Sequence, residues 1–160
     1  MQARKKQKGF SLIELLIVVA IILIIASIAI PNLLRAKISA NESSAVGSIR
    51  AINSAMISYT SSYPTVGYPT SLSVLGGTSC APPSPTSACL IDTQLAAGSK
   101  SGYNFTLVVS GTPPSAYQIV GAPSVANQTG IRYFCSFTDS VIRASVTPIA
   151  ACDYTVTPLQ

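Results

Sequence analysis

Hydrophobic and polar positions divide the chain into three stretches of different pattern. From Phe10 to Ile30 the sequence reads FSLIELLIVVAIILIIASIAI, apolar on every helical face and interrupted by one charge, Glu14. Such a run is not an amphipathic surface helix, and as a helix it extends roughly 30 Å, enough to cross a hydrocarbon core. Its many Ile and Val residues would favour a strand in water. In lipid only a helix satisfies every backbone group within one segment, so a helix is expected. Beyond Pro31, the residues Ala45, Ile49, Ile52, Met56, Tyr59 and Tyr63 recur at alternating steps of four and three. That spacing is one face of a helix, and Leu34 and Ile38 extend the stripe. Pro31 removes the N–H that would bond the Ser27 carbonyl, so the expectation is one long helix kinked near Pro31. Gly47 is a mild weakener within it.

After Tyr63 the pattern changes to a Pro-, Gly-, Ser- and Thr-rich stretch with Pro82-Pro83-Ser84-Pro85 at its centre, expected to be irregular loop. Alternation then begins. Tyr103, Phe105, Leu107 and Val109 interleave with Asn104, Thr106, Val108 and Ser110, the signature of a half-buried strand. Further strands are expected at Tyr117–Val120, Ile131–Phe137 and Val141–Val146. The predicted fold class is α+β: a long N-terminal helix packed by its stripe on an antiparallel sheet of about four strands. The segments would be a leader over 1–9, an apolar helix over 10–31, an amphipathic helix over 32–63, a loop over 64–102, and sheet with tail over 103–160.

Composition sharpens this. Charged residues make up only 9% of the chain and mean hydropathy is +0.47, against about 25% charged residues in an ordinary soluble domain. The net charge of +5 is concentrated in Arg4, Lys5, Lys6 and Lys8. Beyond residue 9, the cations Arg35, Lys37, Arg50, Lys100, Arg132 and Arg143 nearly balance Glu14, Glu42, Asp92, Asp139 and Asp153. The basic cluster therefore speaks to topology rather than to nucleic acid. It places residues 1–9 in the cytoplasm and the bulk of the chain outside.

Three readings compete for the apolar segment. A secretory signal could be cleaved after the small residues around Ser27-Ile28-Ala29, leaving Ile30 or Pro31 at the N-terminus, and a plain signal anchor would not be cleaved. Neither accounts for Glu14, whose carboxylate costs about 2.5–3.5 kcal/mol near the middle of an inserting helix. Its position five residues after Gly9 allows the bland alternative that it sits near the interface.

The segment KGFSLIELLIVVAIILIIASIAIPN resembles the processing and assembly segment of type IV prepilins and type II secretion pseudopilins. A basic leader ends in Gly9, Phe10 follows, and Glu14 lies four residues beyond Phe10, ahead of the apolar run and Pro31. The strong resemblance covers about Lys8 to Leu34. The stretch GIRYFCSFTDSVIRAS is more weakly similar to the last hairpin of some pilins and pseudopilins. The resemblance implies the pilin fold and cleavage between Gly9 and Phe10 by a prepilin peptidase, which would also methylate the Phe10 amine. A glycine fits a narrow site at that junction. It further implies that Glu14 meets the N-terminal amine of a neighbouring subunit, a tolerable state for a carboxylate in a low-dielectric filament core. Pro31 would allow local unwinding as subunits slide. The implied partners are identical or related pilin subunits, the peptidase, a pilus assembly platform and the inner membrane. The implied location is a single-pass inner-membrane precursor, then an extracellular or periplasm-spanning filament.

Four cysteines, all beyond residue 79, lie in the part placed outside, and an oxidising compartment with two disulfides follows. Three connectivities are possible. The expected one is Cys80–Cys89, closing the proline loop, and Cys135–Cys152, tying the tail to the sheet. Without His or a CxxC pair, metal binding is a weak alternative, and five scattered acids make a poor calcium site. No catalytic residue or cofactor is expected: His is absent, and Asp92, Asp139 and Asp153 are isolated. Sequons at Asn41, Asn104 and Asn127 carry no weight. Direct nucleic-acid binding is not expected, although Lys100, Arg132 and Arg143 could together form a basic patch on a filament. Two classes of function remain: a structural subunit of a type IV pilus (or of a secretion pseudopilus), and a secreted or anchored binding domain with a conventional signal.

Overall fold

The computed structural model describes residues 10–77, 80 and 82–159. The basic leader, including Gly9 of the expected cleavage site, lies outside the described residues. The first element, α1, runs Leu12–Ser62 and does not end at Pro31. It contributes to two compact units, Met1–Ala36 and Lys37–Gln160.

In the first unit α1 is apolar all round, and its large apolar side chains from Phe10 to Leu34 are 44–83% exposed. Leu34 is among them, so the buried stripe begins at Ile38 rather than at Leu34. Ser27 donates its hydroxyl to the Ile24 carbonyl at 2.8 Å, satisfying its polar group within the helix.

The second unit has two layers. Along α1 the residues Ile38, Glu42, Ala45, Ile49, Ile52, Met56 and Tyr59 are buried, a face with steps of four and three that includes one carboxylate. They pack on a five-stranded antiparallel sheet ordered β1-β2-β3-β4-β5. The strands are β1 (Ser99–Lys100), β2 (Tyr103–Ser110), β3 (Ala116–Pro123), β4 (Tyr133–Phe137) and β5 (Arg143–Ser145). Tyr103, Phe105, Tyr117, Ile119 and Phe134 supply the core from the sheet. On β2 the outward residues Asn104, Thr106 and Val108 are exposed, as a period of two requires. Gly121 pairs with Phe105, and an added Cβ there would come within 3.1 Å of the Phe105 ring.

The proline-rich stretch is more structured than its composition implies. It holds two single-turn helices, α2 (Leu72–Leu75) and α3 (Thr93–Ala96), followed by β1. Leu72, Leu75 and Leu95 join the main core, so tertiary burial holds helices too short to persist alone. The β1–β2 hairpin turns on Ser101 (φ 50°) and Gly102 (φ 73°), two left-handed residues that match a tight hairpin to the twist of the strands. The Ser44 hydroxyl donates to Ser101 Oγ at 2.9 Å and ties that turn to α1.

Candidate functional site

At the head of α1, Phe10 is 83% exposed and Ser11 precedes the first helical residue. The backbone N–H of Ser11 donates to Glu14 Oε2 at 2.9 Å. This is half of a capping box, in which the carboxylate at the third helical position closes back on the N-cap amide. The carboxylate also lies at the positive end of the helix dipole. Ser11-x-x-Glu14 is the sequence signature of this arrangement, a signal not used in the reading of the sequence above. Glu14 Oε1 makes no hydrogen bond among the described residues, so one oxygen remains for a further donor. Around it, the whole apolar surface of the segment is uncovered. Surface of that extent far exceeds the few hundred Å² that soluble monomers leave exposed, and it requires lipid or protein around it.

The second unit is built for rigidity. Glu42 Oε1 accepts the backbone N–H groups of Ile131 (2.9 Å) and Arg132 (3.0 Å), and Oε2 accepts Arg132 Nε at 2.8 Å. Burial by itself would raise the Glu42 pKa. These hydrogen bonds and the guanidinium outweigh it and hold the carboxyl below its ordinary value. Deeper in, Asn53 Nδ2 donates to Ser136 Oγ at 2.9 Å, and the Tyr117 hydroxyl donates to Asn53 Oδ1 at 3.1 Å. Helix and sheet are thus pinned in register by polar contacts as well as by area. Neither Glu42 nor Asn53 was singled out from sequence, although Glu42 falls on the stripe between Ile38 and Ala45.

Cys80 is bonded to Cys89 and Cys135 to Cys152. The first pair closes the exposed proline loop. The second is buried and fastens the tail to the outer face of the sheet, where the Cys152 N–H donates to Gln118 Oε1 at 2.8 Å. Asp92 caps α3 by accepting the Leu95 N–H at 2.9 Å. The three cations considered for a basic patch are each held by an acid: Lys100 by Asp92, Arg132 by Glu42 and Arg143 by Asp139. Arg143 is also buried, stacked over Phe137 at 4.3 Å, which removes it from any such surface. Among the described residues no group of His, Cys, Asp or Glu is placed to hold a metal ion.

The described residues thus present an uncovered apolar helical segment with a capped carboxylate at its head and, as a second unit, a disulfide-tied helix-on-sheet body. Residues 4–30 match the family model described as the prokaryotic N-terminal methylation motif. Over 59 residues the chain is 41% identical to type II secretion system core protein G of Escherichia coli, covering 37% of this chain and 41% of that one. With its Vibrio cholerae counterpart it shares 43% identity over 68 residues, 41% of this chain and 47% of that one. The type IV wide pilus major component PilA4 of Thermus thermophilus is 60% identical over 38 residues, 24% of this chain and 29% of that one. The chain thus spans less than half the length of the relatives it matches. No solved structure matches it. These matches lie in the N-terminal part of the chain and support the prepilin and pseudopilin family there.

Proposed function

We propose that the chain is a structural subunit, a type IV pilin, made as a single-pass inner-membrane precursor and polymerised through its N-terminal helix into an extracellular filament. The observation that carries this reading is the exposed apolar helix headed by Phe10 and Glu14 within the methylation motif. Lipid covers the helix before assembly, and neighbouring helices cover it afterwards. Prepilin peptidase cleaves after Gly9 and methylates Phe10, leaving an amine that stays basic. Glu14, capped by its own Ser11 amide in the membrane, offers its second oxygen to the Phe10 amine of a neighbour. Such a pair fixes register between subunits more than it adds net stability. Pro31 supplies the point where α1 kinks or unwinds, because the Ser27 carbonyl has no partner four residues on. The assembly platform and related subunits are the remaining partners, and the subunit itself is not an enzyme.

The two disulfides, which brace an exposed loop and the tail, suit a filament surface outside the cell and support pilin over pseudopilin. A second reading, the pseudopilin of a type II secretion system, is favoured by the core protein G relatives, whose matches run longer than that of the pilus component. Deleting the gene separates the two. Loss of sheared surface filaments with normal protein export supports the pilin, and failed export with unchanged surface filaments supports the pseudopilin.

A further inference from the structure

The second unit nearly balances its charges internally, and what is left over is asymmetric. Asp92, Glu42 and Asp139 meet Lys100, Arg132 and Arg143 at 2.8, 2.8 and 2.6 Å. Asp153 makes no ion pair among the described residues, and its carboxylate accepts from the Thr155 amide and hydroxyl. It feels Arg143 at longer range, but Asp139 already matches that cation. The patch of Asp139, Arg143 and Asp153 therefore carries one net negative charge. It sits on the outer face of the sheet, where Tyr154, 80% exposed, meets Phe137 edge-to-face.

A matching excess of positive charge lies beside α1. Arg50 is exposed on α1 and makes no ion pair among the described residues. It lines an open recess of about 300 Å³ with Ser43, Val46, Arg132 and Leu159. Arg132 gives its Nε to Glu42, so among the described residues the recess has two guanidiniums against one carboxylate, one net positive charge. Lys37 is also exposed but is not among the residues that line this recess.

We propose that the Asp153–Tyr154 tip of one copy docks in the Arg50–Arg132 recess of the next, a contact between copies that rests on the filament reading. The guanidinium fork suits a carboxylate, and the half-buried Leu159 offers apolar surface to Tyr154. The two patches are built from different residues, so the contact is heterologous. One such contact leaves a recess unused on the first copy and a tip unused on the second, so further copies can add at both ends, as an open filament requires. Charge placed in this way sets register and partner choice more than affinity.

A charge swap in the full chain, expressed in its host, tests the contact. Arg50→Asp and Asp153→Arg are each expected to lower the yield of sheared filaments about fivefold at equal membrane levels, because each puts like charges together. The double variant restores most of the yield. Non-reducing gels of each variant show whether both disulfides have formed, and an Arg50→Cys/Asp153→Cys pair adds a second reading. Disulfide-linked ladders are expected only when both substitutions are present. Single variants that assemble like the unmodified chain, a double variant no better than the singles, or the absence of ladders would overturn the contact while the filament reading stands. If the unmodified chain forms no filament, the filament reading itself fails, and the contact with it.

Discussion

The backbone N–H of Ser11 donates to Glu14 Oε2 at 2.9 Å, so the only charged side chain of the apolar segment is hydrogen-bonded to the start of its own helix. In the proposed membrane-held precursor that bond lowers the cost of holding a carboxylate in lipid. On the filament reading Glu14 then has two separable roles, a local cap and a charge for a neighbouring subunit. A glutamine keeps the carbonyl that accepts from Ser11 and removes the charge. Glu14→Gln is therefore expected to insert and be processed normally but to yield few filaments, as is Glu14→Leu. Counting sheared filaments by electron microscopy checks this. Normal yield and symmetry from Glu14→Gln would assign the residue to capping alone.

Asn53 holds the helix to the sheet through Ser136 and Tyr117. Asn53→Ala leaves two buried hydroxyls without that partner, at a cost of about 1–3 kcal/mol for each polar group left unmatched. Thermal unfolding of the detergent-solubilised chain is expected to show a midpoint lower by several degrees. An unchanged midpoint would mean that the network relaxes onto water.

Two glycines give opposite expectations. Gly47 lies on the exposed face of α1 with nothing within 4 Å of an added Cβ, and Gly47→Ala should stabilise by about 1 kcal/mol. At Gly130 a Cβ would overlap the hydroxyl of Tyr103, which is fully buried and donates to the Arg132 carbonyl at 2.7 Å. Gly130→Ala should destabilise by about 1–3 kcal/mol. Denaturant titration of both variants reads the sign directly.

The Glu42 carboxyl is held below its ordinary value in the folded chain, the bonds from Ile131 and Arg132 outweighing burial. As pH falls the unfolded state takes up the proton first. The stability from Glu42 is therefore complete above the unfolded value and is lost as pH drops through the folded one. Glu42→Gln should lower the melting midpoint at neutral pH and flatten its decline in acid. Asp139, also lowered despite burial by its bonds to Arg143 and the Val141 amide, remains in the variant and keeps part of the acid limb. Parallel acid limbs for the variant and the unmodified chain would remove Glu42 from this role.

Much of the architecture could be read from periodicity. The stripe from Ala45 to Tyr59 and the alternation of β2 reflect burial on one face, which the order of residues records directly. What escaped depends on contacts distant in sequence. Leu72, Leu75 and Leu95 form single turns only because the core covers them, and β1 exists through the Ser101–Gly102 hairpin on Ser44. Glu42 broke the hydrophobic pattern yet kept its spacing, and its partners lie about ninety residues away. At the assembly end the residue types were legible, and the link between Ser11 and Glu14 was written in a capping pattern. The exposure of Leu34 was not, because helical spacing alone does not reveal where covering structure begins.

The most direct test of the filament reading is the mature N-terminus. Peptide mass spectrometry of the chain purified from its host membrane should find residue Phe10 at the N-terminus, carrying one methyl group on its amine, with the apolar helix still attached. An N-terminus at Ile30 or Pro31, or an intact Met1 leader in a chain fully exported to the surface, would contradict it.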